Sequence, residues 1–178
     1  MTDHEALIDN GVTTEQQIEI LRRAHALVKE PDSWVQGSWK CPVVIPGAIS
    51  GNAVATTPNG TPRYQYCIEG AVNQATYDVL GEERAKALGA VRFDQEKGEL
   101  VFSGAEDELG YDPTMLFGLD TIASDLYGYE CALEYNDHEP EMHMDDDGIA
   151  SHHNEVHEGV MDILSTRLKQ LTGRKEAA

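Results

Sequence analysis

The sequence predicts a mainly α, α+β domain, with about four helices around one core and one or two small β-hairpins outside it. Three observations predict it. Apolar residues recur at helical spacing in four separate segments, whereas the β-like runs are short and bounded by Pro, Gly and Asn. The 178 residues suffice for one ordinary domain and are few for two. A chain of this length buries roughly 70% of its unfolded surface without a disulfide or metal staple. Its 40% hydrophobic and 25% charged residues match a soluble globular protein rather than a disordered one.

Residues 1–12 are polar and aperiodic and are expected to be flexible. Thr14 and Gln17 have capping-box spacing, and Glu15 suits the positive end of a helix dipole. Ile20, Leu21, Ala24, Leu27 and Val28 then repeat at helical intervals, with Pro31 as the stop. Trp34 to Gly37 reads as a turn. Val43 to Ile45 and Ala53 to Thr57 are short β-like runs, Pro58-Asn59-Gly60 is a turn signal, and Arg63 to Tyr66 is the returning strand. Cys67 to Leu80 reads as the second helix, with Ile68, Ala71, Val72, Ala75 and Val79 on one side and Gly81 as a left-handed stop.

Glu82 to Leu88 is a short helical turn. Val91 and Phe93 alternate, as do Leu100 and Phe102, which predicts a hairpin around Glu96-Lys97-Gly98. Asp112-Pro113 opens a helix that Met115, Leu116, Leu119, Ile122, Ala123 and Leu126 carry to Gly128. Asn136 to Gly148 reads as a polar loop. Ser151 opens the last helix, with a core stripe of Val156, Val160, Ile163, Leu164, Leu168 and Leu171. Gly173 is its expected end and 174–178 a flexible tail, so the predicted globular unit spans 13–173.

The opening residues are acidic and lack an apolar run, so no secretory signal is expected. The uncharged stretch from Cys41 to Pro62 is broken by prolines and predicts no membrane span. Cys41, Cys67 and Cys131 form no CxxC pair, which points to a reduced, cytoplasmic protein rather than a disulfide framework. Nothing in the sequence fixes an oligomeric state.

With 32 acidic against 13 basic residues the net charge is −19. Such a chain repels bare nucleic acid and anionic membrane, because binding either begins by neutralising phosphates. The charge is uneven: residues 98–166 contain 18 Asp and Glu and no Lys or Arg. A field from so many like charges suits a docking face for a basic protein or a mimic of nucleic-acid phosphate, and it also keeps a protein soluble. Glu106, Asp107, Glu108, Asp145, Asp146 and Asp147 are the densest part of the predicted acidic interaction face.

Five of seven histidines (His138, His143, His152, His153, His157) fall within twenty residues, interspersed with carboxylates. Imidazole with carboxylate suits Zn, Ni, Mn or Fe(II), and His138, His143, His153 and His157 are the candidate ligands of a divalent metal. The spacing is not HExxH, an EF-hand loop or a facial triad, so no cofactor is expected and adventitious metal binding outranks catalysis. Exposed histidines among carboxylates would also favour their protonated form and make the loop pH-responsive. Cys67 heads a predicted helix, where a thiol pKa falls. With His25 or the histidine loop as base and Asn136 as orienting residue it has the residue types of a Cys-His-Asn hydrolase, without any protease's local signature. Asn136-Asp137 reads most simply as a loop-organising pair. Trp34 and Trp39 read as a core anchor and a lid.

The blocks Ile20-Leu21-Arg22-Arg23-Ala24, Trp34-Val35-Gln36-Gly37, Tyr66-Cys67-Ile68-Glu69-Gly70-Ala71-Val72, Tyr135-Asn136-Asp137 and Glu155-Val156 resemble an uncharacterised domain-of-unknown-function family of actinobacteria and their phages. They cover about half the chain in separated pieces, while Val91 to Glu134 looks like an expansion and the histidine-rich loop is longer than the family's link. The resemblance implies an intracellular bacterial or phage setting and no particular chemistry. It also implies that Trp34, Gln36, Gly37, Cys67, Gly70, Asn136 and Asp137 lie close together as a structural nucleus or pocket. The function expected is that of a non-enzymatic acidic accessory factor, phage or phage-related, binding a basic host or phage protein in the bacterial cytoplasm. The alternatives are a metal-binding protein or hydrolase using the histidine loop or Cys67, and a structural virion component.

Overall fold

A computed structural model describes residues 11–38, 40–43, 54–94, 99–101, 113–139 and 146–177. Helix α1 spans Thr14–Leu27 and is capped one residue earlier than the sequence suggested. The Gln16 amide donates to Thr13 Oγ1 (3.3 Å) and the Thr13 amide to Gln16 Oε1 (3.1 Å). Gln17 is instead buried, its amide directed at the Val12 carbonyl, and Val12 is already part of the core. After a 3-10 turn at Pro31–Ser33 the chain extends through Trp34, which bridges Tyr66 in parallel.

Strand β1 (Lys40–Pro42) pairs antiparallel with β2 (Tyr64–Tyr66), Cys41 opposite Gln65. The first strand thus starts before Val43, and Val44 and Ile45 lie outside the described residues. Val43 still belongs to the ladder, because its amide donates to Arg63 and its carbonyl accepts from Ala55. The turn at Pro58-Asn59-Gly60 forms as expected, with the Gly60 amide on the Thr57 carbonyl.

Helix α2 covers Ile68–Leu80 and α3 covers Glu82–Ala87. Gly81 separates them at φ 78, ψ 166, so it is not the left-handed cap expected there. This extended, positive-φ backbone lets one residue end α2 and begin α3. A hairpin follows, β3 (Arg92–Asp94) on β4 (Glu99–Val101), with Phe93 opposite Leu100.

The segment expected as one helix from Pro113 to Gly128 is two: α4 (Pro113–Leu116) and α5 (Leu119–Tyr127). Gly118 breaks it at φ 72, and the Arg167 guanidinium packs 3.4 Å from where a Cβ would stand. The expected loop from Asn136 is also corrected. Tyr135, Asn136 and Asp137 lie in helix α6 (Ala132–Asp137), whose cap is Cys131 Sγ accepting from the Glu134 amide. Helix α7 (Asp146–Ala177) starts before Ser151 and runs through Gly173 into the expected flexible tail. Its 32 residues make it roughly 48 Å long.

Helix α1 packs on α2 and α7, and α5, α6 and α7 pack on one another. The mainly α, α+β class stands, with seven α-helices and two small two-stranded antiparallel sheets among the described residues. One apolar core is shared by α1, α2, α5, α6, α7 and Trp34, with Ile20, Leu21, Trp34, Ile68, Val72, Leu119, Val160, Ile163 and Leu164 fully buried. No described helix is long and apolar enough to cross a membrane.

Candidate functional site

Three elements meet at Asn136: the extended Trp34–Gly37 segment, the N-terminus of α2, and α6. Asn136 is 0% exposed, so each of its polar atoms requires a partner. Its Oδ1 accepts from the Trp34 indole (2.7 Å) and from the Ile68 amide (3.1 Å), one of the first amides of α2. Its Nδ2 donates to the Val35 carbonyl (3.3 Å) and to Asp137 Oδ1. The same Asp137 oxygen accepts from the Gly37 amide (2.9 Å), and Gly37 turns at φ 66. Gln36 closes the set by donating to the Asn136 (2.9 Å) and His138 (3.1 Å) carbonyls while its Oε1 accepts from His153 Nδ1 (3.1 Å).

Trp34, Gln36, Gly37, Asn136 and Asp137 are thus joined directly, and Cys67 and Gly70 adjoin them at the start of α2. The arrangement is a filled polar hub. Cys67 is buried as the N-cap of α2, with Sγ accepting from the Gly70 amide (3.3 Å). Burial pushes its pKa up to about 12 against the opposing pull of the Gly70 amide, and Glu69 and Asp137 push the same way. The shift runs opposite to the fall expected for a thiol at a helix start, and it disfavours the thiolate, the reactive form. Asn136 is likewise committed to Trp34, Val35 and Ile68 rather than to orienting a base.

The histidines fold back onto the same region. His157 is buried and its Nε2 donates to the Val28 carbonyl (2.7 Å). The rings of His153 and His157 lie 4.6 and 5.3 Å from the Trp34 ring. His152 Nε2 donates to the His138 carbonyl (3.2 Å), and His138 Nδ1 donates to Tyr135. Among the described residues no three His, Cys, Asp or Glu side chains are placed to hold a metal ion, and His143 lies outside them. The expectation of favoured protonation fails at His153. Burial lowers its pKa, and the neighbouring His157 and His152 add to the shift.

Glu106, Asp107, Glu108, Asp145 and Trp39 lie outside the described residues, and Asp146 and Asp147 are placed only as the first turn of α7. Among the described residues, exposed carboxylates of the cation-free stretch are Asp125 on α5, Glu130 and Glu134 around α6, Glu139 after it, and Glu155, Glu158 and Asp162 on α7. Asp125, Glu134, Glu155, Glu158 and Asp162 therefore ride on one packed three-helix unit. In the first half of the chain, by contrast, Arg23–Glu19, Arg63–Asp32 and Lys86–Glu82 form ion pairs.

Sequence reasoning missed a cleft of about 370 Å³ between α5, α6 and α7, lined by Tyr127, Tyr135, His138, His152, Glu155, Glu158 and Asp162. Tyr127 stacks on Tyr135 with centroids 4.4 Å apart, and Tyr129 meets Tyr135 edge-on at 5.3 Å. The Tyr135 hydroxyl sits over Gly159 and donates to the Glu155 carbonyl (3.4 Å). A Cβ on residue 159 would overlap that hydroxyl. A glycine inside a helical pattern was the available signal, because it marks a close approach. Burial raises the Tyr135 pKa to about 12, with Tyr127, Tyr129, Asp162 and Glu155 adding to the shift. Burial also raises that of Tyr127, and Asp162 follows, accepting the Tyr127 hydroxyl at 3.4 Å.

Comparison with protein-family models, curated proteins and solved structures finds no significant match to this chain.

Proposed function

We propose that this chain is a non-enzymatic, acidic protein-interaction factor, a phage or phage-related accessory protein that binds a basic host or phage protein in the bacterial cytoplasm. The observation that carries this reading is the placement of exposed carboxylates on α5, α6 and α7 within a stretch, 98–166, that has no Lys or Arg. Charge of one sign on a single unit steers a partner of the other sign and raises its association rate. The hub around Asn136 supports the same reading, because its side-chain groups are spent on holding the fold.

The test is capture from bacterial lysate at low and high salt, with metal analysis of the same preparation. A basic protein should be retained at low salt and released at high salt. Neutralising Asp125, Glu134, Glu155, Glu158 and Asp162 together should slow its association by about tenfold or more. Retention indifferent to salt and to these substitutions would overturn the proposal.

A further inference from the structure

We propose that the cleft between α5, α6 and α7 is a receptor for an arginine side chain of a basic polypeptide. This rests on the interaction reading above and gives it a site. Every lining residue comes from the stretch 98–166, so no Lys or Arg of that stretch can neutralise the cleft from within. Glu155, Glu158 and Asp162 recur at helical spacing on α7 and present three carboxylates along one wall. The facing wall is aromatic. Tyr127, 37% exposed, stacks on Tyr135, which the missing side chain at Gly159 allows to sit against α7.

Aromatic faces beside carboxylates are complementary to an organic cation. Between the two common side-chain cations, guanidinium is the better match. It is planar, so it stacks on a tyrosine ring, and its forked donors engage a carboxylate in two places. The Tyr127 hydroxyl, held by Asp162, keeps ring and carboxylate adjacent, so one guanidinium reaches both. A cleft of about 370 Å³ also exceeds what a single side-chain head requires, leaving room for the flanking peptide backbone.

The experiment is a titration of the full chain with fluorescein-labelled tetra-arginine, tetra-lysine and tetra-citrulline peptides, with circular dichroism confirming the fold of each variant. Tetra-arginine should bind several-fold more tightly than tetra-lysine, and uncharged tetra-citrulline should not bind. Tyr127→Leu and Asp162→Asn should each weaken tetra-arginine by about three- to thirtyfold. Tyr127→Phe, which keeps the ring, should stay closer to wild type than Tyr127→Leu. The triple variant Glu30→Gln, Asp78→Asn, Glu83→Gln, at exposed carboxylates that do not line the cleft, should stay within about twofold. Salt-sensitive binding that all neutralising variants weaken alike, with Tyr127→Leu unchanged, overturns the cleft and leaves the interaction reading standing. No binding of either cationic peptide at low salt overturns both.

Discussion

Removing the side-chain amide of Asn136 strips two buried donors, the Trp34 indole and the Ile68 amide, of their acceptor at once. Each such loss costs about 1–3 kcal/mol. Asn136→Ala should therefore lower unfolding free energy in denaturant by about 3 kcal/mol or more. Trp34→Phe removes one donor and leaves the Ile68 bond in place, so its loss should be smaller. Equal losses would mean that the hub is not organised by the Asn136 carbonyl. At Cys67 the raised pKa, about 12, predicts chemical silence. In native protein near pH 8, iodoacetamide should modify the half-buried Cys41 and Cys131 and leave Cys67 intact, and urea should abolish the distinction by mass spectrometry. The hub's members were legible as separate blocks in the sequence. Their bonding was not, because an Asn-Asp pair gives no hint of partners about 100 residues away.

At the scale of elements, α1 and α2 were legible because their apolar residues repeat over several turns and stop at clear signals. Helix α6 was not. Its six residues span under two turns, too few for a period to show, and it is held by Tyr135 and Ala132 in the core and by its Cys131 cap. Gly173 was a misleading stop, since glycine inside a helix costs only about 1 kcal/mol and the chain absorbs it. Gly118 and Gly159 carried the opposite lesson: Gly118 breaks its helix at a positive φ, and Gly159 makes room for the distant Tyr135 side chain. Gly159→Ala gains helix propensity but forces Tyr135 off α7. It should cost about 1–3 kcal/mol net and diminish the near-ultraviolet circular dichroism of the tyrosine stack.

For the molecule as a whole, α7 links both halves by packing on α1, α5 and α6, and its histidines seal Trp34. This joins stability to pH. Burial holds the pKa values of His153 and His25 below the ordinary 6.5, so the folded state binds fewer protons than the unfolded state just below that pH. Their stabilising contribution is complete above about pH 6.5 and is lost as pH falls through their folded values. Melting temperature should fall between about pH 7.5 and 5.5. His153→Gln, which keeps a donor for Gln36, should shrink the fall without abolishing it because His25 still titrates. A fall identical in the variant would remove His153 from this account.

The bond from Trp34 to Asn136 also imposes an order on synthesis, because its two ends are 102 residues apart in the chain. At ribosomal rates of about 5–20 residues per second the indole waits roughly 5–20 seconds for its acceptor, and longer for the two rings of α7. A nascent chain arrested before residue 136 should therefore emit with a red-shifted tryptophan spectrum and attract holdase chaperones, a vulnerability that vanishes only as the last helix leaves the exit tunnel.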